Sequence, residues 1–254
     1  MKRSRPAPLI LGHRGYRARF PENTLLAFRE ALGAGAGGIE CDLQKSTDGR
    51  YVIIHDPGTE RVTGAALDVR RASFDDLRKL DYGRGERIPL LEELLQLLPA
   101  EAYLDLELKE ETLRPADSDR IVRIIDAHRT RERLMISSFD PNLLIPFRRQ
   151  GFIVGYLVGE ESARRGVFGF AKAVLRLRPQ FLNLPAEIVA ALGARRAAFL
   201  FGALRFLGFS LLFWTVNDGP QAVALAPHAR IIVTDEVERI IEELMSRTGK
   251  TTDS

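Results

Sequence analysis

The sequence predicts an α/β fold, a TIM (β/α)8 barrel with one small insertion, and three observations predict it. Short apolar, β-branched runs alternate with helix-period segments from end to end, the pattern of a parallel sheet with helical crossovers. The 254 residues match the usual size of one such barrel. Polar residues recur at the C-terminal ends of the strand candidates, the rim on which this architecture assembles its sites.

Strand candidates fall at 9–13, 38–43, 51–55, 102–109, 134–139, 153–158, 180–184, 211–217 and 230–234. That is one more than a barrel needs. Ser46-Thr47-Asp48-Gly49 resolves the surplus, because so short a connection cannot hold a parallel crossover and must be a hairpin turn. Residues 51–55 become an antiparallel return arm, and folding about the turn brings His55 back beside Glu40 and Asp42.

Helices fill the gaps. Asn23-Thr24 caps a helix whose apolar positions Leu25, Leu26, Phe28, Ala31 and Leu32 follow helical spacing up to the glycines at 33–38. Further helical patterns occupy 90–98, 117–128, 142–150, 167–177, 186–207, 221–225 and 237–247, the sixth of them broken near Gly193. Residues 57–89 lack a strong period and are rich in turn residues, so they read as an insertion that leaves the His55 arm and caps the pocket. The ends, about 1–8 and 248–254, read as disordered tails of one domain spanning 1–254.

Composition narrows the class without naming a function. Apolar residues make up 45% and charged residues 28%, ordinary for a globular chain. Lys and Arg outnumber Asp and Glu by 37 to 34, too little to argue for a nucleic-acid partner. The single cysteine, Cys41, rules out an intramolecular disulfide; together with an N-terminus unlike a secretory signal, it leads us to expect a cytoplasmic protein. Cys41 is expected to point away from Glu40 and Asp42, into the helical layer, as an inert packed thiol. The oligomeric state is left open.

The chemistry sits at the strand ends. Glu40 and Asp42 are two apart on one strand and share a face; Glu107 and Lys109 repeat that spacing on another. Three carboxylates converging on a rim repel one another unless a cation lies among them, and oxygen ligands suit Mg2+ or Ca2+. One divalent cation is therefore expected on Glu40, Asp42 and Glu107. Arg14 and Lys109 supply positive charge for a phosphate, the first as a two-pronged donor and the second as a point charge. His13 and His55, two of only four histidines, fall at rim positions and fit an acid and base pair. The sequence leaves open which is which. His128 and His228 read as ordinary.

These residues lie in segments that resemble the glycerophosphodiester phosphodiesterase family: His13-Arg14-Gly15, Pro21-Glu22-Asn23-Thr24, Glu40-Cys41-Asp42 and His55-Asp56, then Leu106-Glu107-Leu108-Lys109, Ser137-Ser138-Phe139, Trp214-Thr215-Val216-Asn217 and Thr234-Asp235. The resemblance covers about residues 9–240. It implies a TIM barrel that hydrolyses small glycerophosphodiesters to an alcohol and glycerol 3-phosphate with a divalent metal. It also implies Glu40, Asp42 and Glu107 as metal ligands, His13 and His55 as the catalytic pair, and Arg14 and Lys109 as phosphate contacts. Trp214 would line the substrate pocket, while Glu22 and Asn23 would order the loop behind His13. Attack by water and passage through a cyclic phosphate both stay open. Rival readings are a lysophospholipase D or another phospholipase, and a catalytically silent phosphate- or membrane-binding barrel.

One region departs from the family pattern. Residues 185–211 are long and strongly apolar, and 167–177 carry Phe168, Phe170, Val174 and Leu175 among Arg164, Arg165, Lys172, Arg176 and Arg178. Inward packing of the apolar side chains is the first expectation. The alternative is a basic, apolar surface making peripheral contact with an anionic membrane.

Overall fold

The computed structural model describes residues 7–128 and 131–248. Nine strands form one sheet: β1 (Leu9–His13), β2 (Gly38–Lys45), β3 (Tyr51–Ile53), β4 (Tyr103–Leu108), β5 (Leu134–Ser138), β6 (Ile153–Leu157), β7 (Phe181–Pro185), β8 (Ser210–Trp214) and β9 (Ile231–Thr234). Eight run parallel in the order β1-β9-β8-β7-β6-β5-β4-β2, and pairing of β1 with β2 closes the barrel. The ninth, β3, lies antiparallel on β2 with Leu43 opposite Ile53. Strand β2 accommodates both neighbours by length: Gly38 to Glu40 pair with β1, and Leu43 to Lys45, beyond the end of β1, pair with β3.

Register on the other side of β2 depends on Gly38, where a Cβ would lie 2.0 Å from the Tyr103 carbonyl oxygen. Only glycine lets β4 come this close. Side chains then alternate between two cores. Ile39, Cys41 and Leu43 face the helical layer with Phe28 and Leu94, so the fully buried Cys41 points away from its acidic neighbours as expected. Leu11, Met135, Phe181, Leu212, Ile231 and Val233 fill the barrel interior below the rim.

The helices largely follow the expected segments. Thr24 caps Leu25–Gly33 through its side-chain oxygen, which accepts from the Ala27 N–H, but Asn23 does not share that work. The apolar stretch before β8 is broken at Gly193 into Ile188–Leu192 and Ala194–Phe206. A further short helix, Glu160–Arg164, was not anticipated. The arm ends at Ile53 rather than at residue 55, and β8 stops at Trp214, leaving His55 and Asn217 in loops. Thr248 completes the last helix, Val237–Thr248, instead of joining a tail, and Ala7 and Pro8 lead directly into β1; the remainder of the expected tails, at 1–6 and 249–254, lies outside the described residues.

Between β3 and the helix Leu91–Leu97, the chain forms two short helices, Glu60–Thr63 and Phe74–Lys79, over a separate apolar cluster of Val52, Ile54, Val69, Leu77, Tyr82 and Ile88. This insertion has its own core. Among the described residues no helix is long and apolar enough to cross a membrane.

Inward packing holds for only part of the apolar region flagged above. Phe170 stacks on Tyr156 of β6 with ring centroids 5.6 Å apart, and Phe201 meets Phe213 of β8 edge-on at 4.9 Å. Val167, Phe168, Leu175, Phe199, Phe206 and Leu207 do not pack inward: all are exposed, because the same two helices already use their inner stripes.

Candidate active site

Register brings the carboxylates together. In the β2–β4 ladder Glu40 lies opposite Asp105 and Asp42 opposite Glu107, so all four point into the barrel mouth from adjacent strands. One oxygen each from Glu40, Asp42 and Glu107 lies within 4.8 Å of the others. Oxygens that share one ion at about 2.4 Å lie no more than about 4.8 Å apart, so the set is compact enough to hold a single divalent cation. Burial and the neighbouring carboxylates hold Glu40 well above the usual carboxylate range and raise Glu107. Burial alone would raise Asp42 too, but Lys109 and Arg14 outweigh it and hold Asp42 well below that range. Three carboxylates against two cations leave the cluster short of positive charge, and a divalent cation fits that deficit.

The two cations are tied to the acids by short contacts. Lys109 Nζ lies 2.5 Å from Glu107 and 2.9 Å from Asp42. Arg14 follows β1 in the left-handed region (φ 52°), from which its N–H donates to Glu40 at 3.1 Å and its Nε sits 3.2 Å from Asp42. Gly15 continues the turn at φ 82°, and a Cβ there would collide with the Ala27 carbonyl group. The first loop is thus pressed onto the first helix, which fixes where Arg14 points. Asn23, also left-handed at φ 57°, donates to Asp42 at 2.8 Å.

Each histidine is backed by an aspartate. His13 Nδ1 lies 2.8 Å from Asp235 at the end of β9, and Asp235 in turn accepts from Asn217 Nδ2 at 2.7 Å. His55 Nδ1 lies 2.6 Å from its neighbour Asp56, which accepts from Arg61 Nε at 2.5 Å. A ring that donates from Nδ1 to a carboxylate keeps Nε2 for other partners, and His13 Nε2 is 3.9 Å from Glu40. Burial lowers the His55 pKa, Lys109 and Arg14 add to this, and Asp42 opposes it. Buried Gln44 straps the His55 arm in place, donating from Nε2 to the carbonyls of Ile54, His55 and Asp56 at 2.8–3.2 Å.

Glu22 joins the first loop to the insertion, since its carboxylate accepts from Arg14, Arg17 and Arg61 at 2.7–3.0 Å. Burial alone would raise its pKa, but hydrogen bonds from Arg61 and the charge of Arg14 hold it at about 2, below its ordinary 4.5. The ionised form therefore stabilises the fold above about pH 4.5, and that contribution is lost as pH falls towards 2. We expect Glu22→Gln to cost about 2 kcal/mol at pH 7, a figure reduced for the exposure of Arg61 to water, with the difference closing by about pH 2. Urea unfolding across a pH series measures it; a deficit that does not change with pH contradicts this account.

The pocket narrows below the rim, with Asp105, Asn183 and Trp214 among its lining residues. Burial pushes Asp105 up to about 7, opposed by a 2.6 Å hydrogen bond from Ser137. Asn183 is fully buried with neither side-chain amide atom hydrogen-bonded, and the buried Trp214 Nε1 is likewise unpaired. Trp214 meets Phe139 edge-on at 5.8 Å. A larger hollow at the opposite mouth, lined by Leu9, Tyr103, Phe181 and Arg230, lies away from all of these groups.

The eight residues expected to catalyse, to hold the metal or to contact substrate thus lie around one end of the barrel, with Glu22 and Asn23 beside Arg14 and Asp42. His128 bonds the Ile124 carbonyl and His228 packs on Phe201, both away from it. Asp235, Asn217, Asp56, Gln44 and Asn183 support the site without a role that the sequence alone reveals. Asp56 could have been found from its place beside His55, and Asn183 as the one amide in the apolar run Phe181–Pro185.

The closed parallel barrel, with a buried acidic cluster and two histidines at its C-terminal mouth, is a TIM barrel, and its relatives make the chain an enzyme of the hydrolase class. Within that class it belongs to the glycerophosphoryl diester phosphodiesterase family, whose sequence profile matches residues 13–239. A glycerophosphodiester phosphodiesterase of Caldanaerobacter subterraneus subsp. tengcongensis is 36% identical over 246 residues, covering 92% of this chain and 96% of that protein. The crystal structure of a glycerophosphodiester phosphodiesterase from Thermotoga maritima superposes with a TM-score of 0.79 at 30% identity, over 94% of this chain and 99% of that one. An Oleispira antarctica phosphodiesterase, solved with the product sn-glycerol-3-phosphate, shares the fold at a TM-score of 0.78 and 24% identity, covering 94% and 97% of the two chains.

Proposed function

We propose that this chain hydrolyses a small glycerophosphodiester to glycerol 3-phosphate and an alcohol, with His13 and His55 as its acid and base. The observation that carries the reading is the pair of aspartate-backed histidines facing a three-carboxylate cluster. Glu40, Asp42 and Glu107 would hold one Mg2+ or Ca2+, which when bound neutralises phosphate charge and polarises the phosphoryl oxygen. Arg14 and Lys109 bind phosphate oxygens on the same rim, and Trp214 lines the pocket for the glycerol or head group.

His55, which burial and two cations hold towards the neutral form, accepts the proton of the attacking oxygen. His13 then donates to the departing alkoxide as the phosphorus–oxygen bond to the alcohol breaks. The attacking oxygen is that of water or of the adjacent glycerol hydroxyl; the second route gives a cyclic phosphate that water opens. Asp235 and Asp56 hold the two rings in the tautomer that leaves Nε2 to work. We place the enzyme in the cytoplasm, in keeping with its single, fully buried cysteine.

A second reading, lysophospholipase D activity, is favoured by the exposed apolar helices on one flank of the barrel. Purified protein assayed with EDTA, Mg2+ or Ca2+ against glycerophosphocholine and lysophosphatidylcholine separates the two. We expect metal-dependent release of glycerol 3-phosphate from the first compound. Turnover confined to the lysolipid supports the second reading, and turnover undiminished by EDTA removes the metal from both.

A further inference from the structure

The helices Gly166–Leu177 and Ala194–Phe206 cover β6 to β8 and are anchored by Phe170 and Phe201 on their inner sides. Their outer sides are unusual for a barrel. Val167 is 83% exposed, Phe168 93%, Phe199 81% and Phe206 92%. Between Ser162 and Asn217 the chain holds eight Lys and Arg and one acid, Glu187, a balance of +7 where the whole chain has +3. All other residues together therefore carry −4. Among the described residues Lys172, Arg176, Arg195 and Arg196 are exposed and form no ion pair.

We infer that this flank docks the enzyme on an anionic phospholipid bilayer. Phenylalanines that stand out from a convex helical surface gain nothing in water, but they insert readily among acyl chains, with Lys and Arg left at the phosphate level. The charge division adds direction: an anionic surface attracts the flank and repels the rest of the molecule. A second copy of the chain is a poor occupant, because a two-fold interface sets the patch against itself and Arg195, Arg196, Lys172 and Arg176 against their own kind. The flank also borders the active-site mouth. Gly159, between β6 and the helix, approaches Phe139 so closely that a Cβ there would lie 2.8 Å from its ring, and Phe139 packs on Trp214. Docking on this side sets the pocket entrance close to the lipid surface.

Flotation of the whole protein with vesicles tests this without any catalytic readout, so a failure leaves the phosphodiesterase reading intact. We expect binding to vesicles of phosphatidylglycerol in phosphatidylcholine, little binding to pure phosphatidylcholine, and weakening by salt. The variant Phe168→Ser, Phe199→Ser, Phe206→Ser should bind roughly tenfold more weakly or worse while hydrolysing a soluble diester at the normal rate. That rate also reports that the variant folds. Wild-type protein that stays with the pellet beside anionic vesicles overturns the inference, as does a variant that floats equally well. A wild-type dimer in sedimentation velocity that the variant dissolves would show a second copy on this face and overturn it too.

Discussion

Alanine at His13 or at His55 is expected to lower kcat by about 10²- to 10⁴-fold, the range over which a positioned acid or base contributes. His13 lines the pocket and His55 is 34% exposed, and neither belongs to the apolar clusters, so their removal leaves the core packing in place. Melting temperature and metal affinity should stay near those of the wild type. The double variant should fall little further than the worse single variant, because acid and base act on one transition state and their losses do not add. Turnover near the wild-type rate in either purified single variant would remove that residue from the reaction.

Asp42→Asn carries the second large effect. Asp42 is the hub of the cluster, touching Lys109, Arg14 and Asn23, and the two cations among them hold it ionised. An amide keeps the shape and removes the charge, so Lys109 is left to Glu107 and the cluster loses one of its three anionic donors. We expect activity to drop by at least about 10²-fold, as when an electrostatic support of the transition state is lost. In the wild type, added Mg2+ or Ca2+ should raise the melting temperature in a concentration-dependent way, since an ion that binds only the folded chain stabilises it. In Asp42→Asn that rise should vanish at the same concentrations. A variant with the full metal-induced rise would mean that the ion is held elsewhere.

The barrel was legible because its signals are local: a period of two in the strands, 3.6 in the helices, and a turn too short for a crossover at Ser46 to Gly49. That hairpin alone implies that His55 returns to the side of the β2 acids. The segment after β3 was legible as an insertion, yet its helices were not, since four and six residues are too few to display a period. The partner of His13 was hidden for a different reason. Asp235 lies 222 residues away, and the first and last strands meet only because the sheet closes on itself. Nor does helical spacing reveal solvent exposure: the pattern gives an angular position for Phe168 or Phe199, while exposure depends on whether a neighbour covers that angle.

The insertion after β3 rests on its own apolar footing and is clasped to the barrel by Arg61 on Glu22 and Asp56. It resembles a fitted piece more than a loop of the wall. Its outer turns can change length or charge while the staves of the barrel keep their register, so variation in this segment is separable from the durability of the fold.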